Sequence, residues 1–188
     1  MELMNVINAR RSIRAYKPDA VRREAIDELL QAAVQAPSGM NAQPWAFGVI
    51  TDRTLLRTYS ERTKTFLLAK IAEWPWLERY REHFVNPDYS VFYNAPALVI
   101  IYAKAVSPIA QIDCTLAAEN LMLTACDMGL GTCWIGFATD VLNSPEAKQE
   151  LGVPEEYAVV APIIVGHPDG PPPEREKNPP EVIFWKTA

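Results

Sequence analysis

The sequence has few of the residues on which many catalytic and metal sites depend. Only two histidines and three cysteines occur among 188 residues. The cysteines, Cys114, Cys126 and Cys133, form no CxxC or Cys/His pattern, which argues against a disulfide framework and a zinc site. We expect them to be reduced thiols of the core. His83 and His167 are isolated, so no His/Asp or Cys/His arrangement for nucleophilic catalysis is expected, and no metal.

Long apolar runs and basic blocks are also missing. No run approaches the roughly 20 apolar residues of a membrane-spanning helix. Residues 1–5 lack the basic-then-apolar layout of a signal peptide. The net charge is -5, and without a long basic block nucleic acid is a poor candidate partner. We therefore expect a cytoplasmic protein that binds neither membranes nor nucleic acid.

The composition is that of a folded enzyme-sized domain. Hydrophobic residues make up 49% and charged residues 22% of the chain, which is incompatible with a largely disordered protein. We expect one domain over residues 1–188. A local basic cluster in such an acidic chain indicates a confined anion site.

Hydrophobic periodicity predicts helices that alternate with strands, which is typical of an α/β or α+β domain. Helices are expected over 2–9, 23–35, 52–70, 109–128 and from Ser144-Pro145 to about Gly152; strands are expected over 45–50, 97–103, 132–135 and 157–165. The helix over 109–128 is apolar almost all round, so it should lie centrally or in a subunit interface. Pro162 predicts an edge strand or a bulge.

The C-terminal segment after Gly166 changes in composition. Residues 168–180 are rich in proline, which favours an extended chain that pairs poorly as a strand. The apolar residues 182–185 follow. We expect 167–188 to form an arm that crosses a surface, either of its own chain or of a partner subunit.

Four segments are candidates for carrying chemistry, and the first is Arg10-Arg11-Ser12-Ile13-Arg14. Arginine forks and a serine hydroxyl match the oxygens of a phosphate group. An exposed basic run at the end of a helix is an equally ordinary explanation of this segment by itself.

The second and third segments are loops. The residues Pro37, Ser38, Gly39 and Asn41 belong to a loop that could present donors to a ligand or could be a plain helix-to-strand turn. The stretch 129–136 resembles a dinucleotide fingerprint but has Trp134 where the last glycine should be, and it follows a helix. No separate nicotinamide-binding domain is therefore expected. Its glycines would still let backbone amides approach a flat ligand.

The fourth segment, Arg175-Glu176-Lys177, is by itself only solubilising charge. Taken together, in this order and at these separations, the four segments resemble the nitroreductase family of FMN-dependent enzymes over essentially the whole chain. The resemblance implies an α+β sandwich with a central mixed, mainly antiparallel sheet flanked by helices. It also implies an intertwined homodimer in which the arm over 167–188 packs on the partner.

The resemblance also implies roles for individual residues. FMN phosphate would be bound by Arg10, Arg11 and Ser12, with Arg175 and Lys177 from the arm. Arg14 would lie beside flavin N1 and O2 and stabilise the negative charge of the reduced ring. The other subunit would supply Pro37, Ser38, Gly39 and Asn41, and the stretch Trp134, Ile135 and Gly136 would direct a backbone amide at flavin N5. Asn94 lies near an asparagine that touches the isoalloxazine in some members.

The implied activity is reduction of nitroaromatics, quinones or similar small electrophiles by ping-pong hydride transfer, with NADH or NADPH as electron donor and no catalytic side chain. Alternatives are another FMN reaction on the same fold (reductive dehalogenation, enone reduction or flavin cleavage) or a non-catalytic flavin-binding protein. The aromatic segment over 73–93 could form a substrate lid or part of the core.

Overall fold

The computed structural model describes residues 2–172 and 175–187. The chain forms a four-stranded sheet between two groups of helices. The helices are α1 (Leu3–Ala9), α2 (Arg23–Ala33), α3 (Arg53–Lys70), α4 (Arg81–Val85), α5 (Pro108–Asp127), α6 (Thr139–Leu142) and α7 (Pro145–Leu151). Short 3-10 turns occur at Gly39–Asn41, Pro75–Tyr80 and Gly136–Ala138.

The helix starts follow from local side-chain chemistry. Asp52 accepts hydrogen bonds from the backbone of Thr54 and Leu55 at the start of α3. Ser107 and Ser144 cap α5 and α7 in the same way. Each of these serines precedes a proline at the first helical turn, where the missing N–H is not needed. The predicted helix from Ser144-Pro145 to about Gly152 is confirmed.

The sheet contains β1 (Trp45–Ile50), β2 (Ala97–Ala103), β3 (Gly131–Trp134) and β4 (Ala158–Gly166) in the order β1-β2-β4-β3. All three strand pairs are antiparallel. An isolated parallel bridge between Ser12 and Thr132 adds a parallel element beside β3. The sheet is therefore mixed and mainly antiparallel, as predicted.

The prediction from Pro162 is half correct. Strand β4 lies between β2 and β3, so the edge position is wrong. The bulge is present: Ile101 pairs with Ala161 and Tyr102 with Val159, which leaves Val160 as the extra residue. A bulge shifts the alternation of side chains by one position.

Both faces of the sheet are covered. On one face, residues of α2 and α5 pack against alternate residues of β2 such as Val99 and Ile101. On the other, α3, α6 and α7 pack against Leu98, Ile100 and Tyr102. All seven residues of β2 are buried, which confirms the prediction from its unbroken apolar run. This layered arrangement is an α+β sandwich.

Helix α5 is only partly covered by its own chain. Its inner side contains Cys114, Ala118 and Leu121, which are fully buried. On its outer side, Ile109 is 62% exposed and Ile112 is 60% exposed. Neighbouring α1 exposes Leu3, Met4 and Ile7. The prediction of an all-round apolar helix is confirmed, and one face of it lies open.

The C-terminal arm has no regular structure in the part described. Residues 182–185 are exposed, with Ile183 at 89% and Trp185 at 81%. No helix within residues 2–172 and 175–187 is both long and apolar enough to cross a membrane. Cys114, Cys126 and Cys133 are free thiols. Burial raises the pKa of all three, that of Cys114 to about 11.

Substitution of Gly131 by alanine is expected to destabilise the fold. A Cβ there would lie 2.8 to 2.9 Å from side-chain atoms of Ile13, so alanine must push residues 10–14 away from β3. We expect Gly131→Ala to lower the free energy of unfolding by about 1–3 kcal/mol. Gly136→Ala is the matched control, because a Cβ at Gly136 meets no atom within 4 Å. Equal melting temperatures of the two variants would contradict this account.

Candidate active site

Residues 10–17 run along the end of the sheet and are fixed there by backbone hydrogen bonds. The N–H of Ile13 donates to the carbonyl of Thr132 at 2.9 Å. Further along, the N–H of Lys17 donates to the carbonyl of His167 at 2.9 Å, and that of Asp169 to the carbonyl of Ala15 at 3.0 Å. The N-terminal segment is thus held between β3 and the start of the C-terminal arm.

This placement creates a strongly basic cavity of about 200 Å³, which we call the basic pocket. Its lining consists of five cationic side chains and one serine: Arg10, Arg11, Ser12, Arg14, Arg175 and Lys177. Among the described residues, no acidic one lines it. All six belong to the predicted phosphate and flavin-ring contacts, and they come from opposite ends of the chain. The structure therefore brings the first and fourth predicted segments together.

Two of the arginines are oriented by neighbouring groups. Arg10 Nε lies 3.3 Å from Glu119 Oε1 on α5. Arg11 donates to the backbone carbonyls of Asn8 at 2.6 Å and of Arg10 at 2.8 Å. These contacts use some donors of each guanidinium group, and an Arg fork carries five. The remaining donors are available to an anion.

Arg14 lies beside an aromatic cluster. Its guanidinium carbon is 5.9 Å from the centroid of the Tyr93 ring, and Tyr93 packs edge-to-face on Tyr89. Burial and the nearby Cys133 raise the pKa of Tyr16, so its hydroxyl stays protonated and donates to the Ile13 carbonyl at 2.7 Å. Asn94 has a positive φ of 55° and lines another cavity, next to Arg53, Arg57 and Tyr89. It is not part of the basic pocket.

The second predicted segment is a rigid, strained loop. Met40, Asn41 and Gln43 all have positive φ angles, a conformation that costs non-glycine residues of order 1–3 kcal/mol each. Internal bonds hold it: the N–H of Gln43 donates to Ser38 Oγ at 3.0 Å and its side-chain amide to Asn41 Oδ1 at 3.1 Å.

Asp113 anchors this loop, and sequence analysis missed it. Its carboxylate accepts from the N–H of Gly39, with both oxygens at 3.2 Å. The side chain is only 4% exposed. The available signal was an acidic residue on the inward side of the helix over 109–128, whereas Glu119 and Asp127 of the same helix are not buried.

The loop and the basic pocket lie toward opposite ends of α5. Gly39 contacts Asp113, whereas Arg10 and Arg11 share a small cavity with Cys126. At 1.5 Å per residue, Asp113 and Cys126 are separated by roughly 20 Å along the helix axis. None of the residues Pro37, Ser38, Gly39 and Asn41 of the same chain is among the described residues that line the basic pocket.

The third predicted segment ends β3. Trp134 is half-buried and Ile135 is buried, and the N–H of Ile135 donates to the carbonyl of Pro162 at 2.8 Å. That amide belongs to the sheet. Gly136 is exposed with open space around its Cα, so of the last two residues it is the one whose backbone a ligand can approach.

The aromatic segment over 73–93 divides between core and cavity wall. Leu77 and Phe84 are buried, whereas Trp76 is 54% exposed and stacks on Phe137 with 6.2 Å between ring centroids. A cavity of about 410 Å³ opens here, which we call the aromatic pocket. It is lined by Leu67, Trp74, Trp76, Gly136, Phe137 and Asp140. His83 packs between Tyr80 and Tyr89, which is a structural role.

A family model described as the nitroreductase family matches residues 7–167. The chain belongs to the nitroreductase family. An FMN-bound nitroreductase from Bacteroides fragilis has the same fold, with a TM-score of 0.84 and 29% identity over the whole of both chains. A protein from Archaeoglobus fulgidus, provisionally assigned as an NADH dehydrogenase/NAD(P)H nitroreductase, is 30% identical over 172 residues, 89% of this chain and 86% of its own. An iodotyrosine deiodinase from Thermotoga neapolitana is 29% identical over 188 residues, which cover 96% of this chain and 95% of its own.

Membership of this family confirms the resemblance drawn from the four segments. It also confirms the fold class and the expectation of an FMN-dependent oxidoreductase. The relatives differ in the reactions for which they are named. The reaction and the substrate of this chain are therefore questions for its own residues.

The contact between Gly39 and Asp113 is testable. Asp113→Ala leaves Gly39 without its acceptor, and hydrogen bonds to charged groups contribute about 1.5–3 kcal/mol. We expect the Gly39 amide to exchange with solvent at least about tenfold faster in this variant. Asp113→Asn keeps one oxygen acceptor, so its Gly39 exchange rate should lie between those of the parent and the Ala variant. If exchange at Gly39 is the same in the Ala variant and the parent, Asp113 does not anchor the loop.

Proposed function

We propose that this protein is an FMN-dependent oxidoreductase that takes electrons from NADH or NADPH and reduces nitroaromatic, quinone or similar small electrophilic substrates. The observation that carries the proposal is the basic pocket. Five cations and a hydroxyl converge there from two ends of an acidic chain. An anion bound there would offset the mutual repulsion of these cations.

The donor set suits the phosphate of FMN. A phosphate monoester carries close to two negative charges at pH 7 and accepts several hydrogen bonds. We assign Arg10, Arg11, Ser12, Arg175 and Lys177 to it. The cavity of about 200 Å³ is smaller than the roughly 300–1,000 Å³ of a whole ligand site. It therefore suits the phosphate end, and the ring system requires further walls.

A second copy of the chain is the best source of those walls. The loop over 37–41 stands away from its own basic pocket, and Met40 is fully exposed. The outer face of α5, the face of α1 beside it and residues 182–185 of the arm are apolar and exposed. Contiguous apolar surface of this kind marks an interface. We propose a homodimer, with one domain per chain and the arm over 167–188 packed on the partner.

The protein's own residues have binding and electrostatic roles. FMN, when bound, supplies reversible two-electron chemistry. Arg14 would place a cation at the N1–O2 side of the ring, where negative charge develops on reduction, and such preorganised charge is worth most in a water-poor site. Gly136, at the exposed end of the Trp134–Gly136 stretch, would offer its backbone N–H to the N5 side of the ring. No acid, base or nucleophile is assigned.

Reductive dehalogenation is the second candidate reaction. The observation in its favour is the 29% identity to an iodotyrosine deiodinase over 96% of this chain.

The NAD(P)H donor has similar support, from the name of the Archaeoglobus relative. Cytoplasmic location remains a prediction from the sequence.

The electron donor and substrate class have a direct test. The purified protein should carry a flavin spectrum, and NADH or NADPH should bleach it under anaerobic conditions. Bleached protein should then be reoxidised by members of a panel of nitroaromatics, quinones, enones and halophenols. Reoxidation by halophenols alone would favour dehalogenation. Absence of bleaching with both nicotinamides would exclude the reductase and favour a protein that only binds flavin.

The phosphate assignment predicts a difference between two neighbouring variants. Arg10→Ala removes a phosphate contact and should weaken FMN binding by about ten- to a hundredfold, since each charge-assisted bond is worth about 1.5–3 kcal/mol. Glu119→Gln breaks the ion pair with Arg10 but keeps the guanidinium. It should retain FMN at close to the parent's stoichiometry, measured from the flavin-to-protein absorbance ratio after gel filtration.

The pair of variants separates binding from folding. Both should keep the parent's far-UV circular dichroism, because Arg10 and Glu119 are both partly exposed. Full retention of FMN in Arg10→Ala would show that Arg10 does not bind the phosphate. Equal loss of FMN in the two variants would show that Arg10 acts only through its ion pair.

A further inference from the structure

We propose that the aromatic pocket selects flat aromatic substrates that carry a positive charge, and that Asp140 is the residue that sets this preference. The proposal rests on the proposed function, because Gly136 joins this pocket to the ring end of the FMN site. It goes further by naming the charge of the preferred substrate.

The walls of the pocket suit a planar ring. Trp76 and Phe137 are nearly parallel, with 15° between their planes, and Trp74 and Leu67 complete an apolar lining. The volume of about 410 Å³ lies within the usual range of small-molecule sites. A tryptophan that is more than half exposed has unused stacking surface. A flat ring is the ligand shape that covers it.

The wall formed by Phe137 is held from behind. Its ring packs edge-to-face on Tyr80 at 5.2 Å and on Phe84 at 5.5 Å between centroids. Phe84 is buried. Phe137 is therefore fixed before any ligand arrives, and a preformed wall lowers the entropic cost of binding.

The charge of the pocket comes from Asp140. Its carboxylate is exposed at the start of α6, and within residues 2–172 and 175–187 it forms no hydrogen bond or ion pair. A cation, Lys70, lies behind the pocket wall, with its Nζ 5.8 Å from the centre of the Trp74 ring. Lys70 is neutralised by Glu73 at 2.7 Å. The pocket therefore has a net negative charge.

Two independent effects then favour a cation. Asp140 attracts it directly, and the exposed face of Trp76 attracts it through its quadrupole. Both effects disfavour an anion such as an aromatic carboxylate. The two pockets therefore differ in charge preference: the basic pocket attracts anions, and the aromatic pocket repels them. Cofactor phosphate and substrate are thus directed to different parts of the same site.

The expected size follows from the exposure of Asp140. Unit charges about 4 Å apart in a water-like medium interact by ~1 kcal/mol, which corresponds to about fivefold in affinity per charge. A cation and an anion of the same shape should then differ by about tenfold or more. The difference should shrink at high salt.

The test measures binding separately from turnover. Flavin-loaded protein is titrated by calorimetry with three non-reducible rings of one shape: 1-naphthylmethylamine, 1-naphthalenemethanol and 1-naphthoate. We expect affinities in that order, with the amine at least about tenfold tighter than the acid. Asp140→Asn should bring the three affinities together, and Trp76→Ala should weaken all three. Asp19→Asn removes the same charge from an exposed position outside the pocket and should change nothing.

Turnover gives the second readout. The ratio of kcat/KM for 4-nitrobenzylamine to that for 4-nitrobenzoate should exceed one in the parent and fall toward one in Asp140→Asn. If neither nitro compounds nor quinones reoxidise the reduced flavin but the naphthyl series keeps its order, the proposed function fails and the pocket assignment stands. Equal binding of the three rings by the parent would overturn the assignment. Binding that appears only after residues 182–188 are deleted would also overturn it, since the arm would then fill the pocket.

Discussion

The close contact between residues 10–17 and the end of the sheet is the constraint on which the site depends. Gly131 and Gly166 have no side chain at the two points where this segment passes. A Cβ at Gly166 would lie 2.6 Å from Pro96 and 2.7 Å from Tyr16. Because these positions are bare, Ile13 can pair with Thr132 and Ser12 can lie beside β3. The arginines on either side are then directed into one pocket.

The same contact explains why the protein needs an arm. Residues 167–169 pair with 15–17, so the chain after β4 is led back toward the N-terminal segment. Arg175 and Lys177 follow within a few residues and complete the ring of cations. Pro168, Pro171 and Pro172, which lie between β4 and Arg175, have no backbone N–H to donate, and this disfavours another strand of the sheet in the arm.

Much of the fold followed from sequence periodicity, and the exceptions have physical causes. Ser107 and Ser144 with their prolines gave clear helix starts, and the run 97–103 gave a strand buried on both faces. Pro162 misled in part, because β4 is a central strand that carries this proline as well as the bulge at Val160. Asp113 could not be assigned a role, since its partner is a backbone amide 74 residues away. Spacing along the chain carries no information about such a contact. Likewise, the split of the aromatic segment into buried Phe84 and exposed Trp76 depends on where Phe137 lies.

The positions of the basic-pocket residues along the chain have a consequence for folding during synthesis. Its cations belong to residues 10–14 and 175–177, so nearly the whole chain separates them. Synthesis proceeds from the N-terminus, and folding of the early part can begin while later residues are still missing. The sheet can form without residues 175–177, but the pocket cannot. An anion that needs all five cations can therefore bind only when translation is almost finished. A chain truncated after β4 would fold without being able to bind that anion tightly.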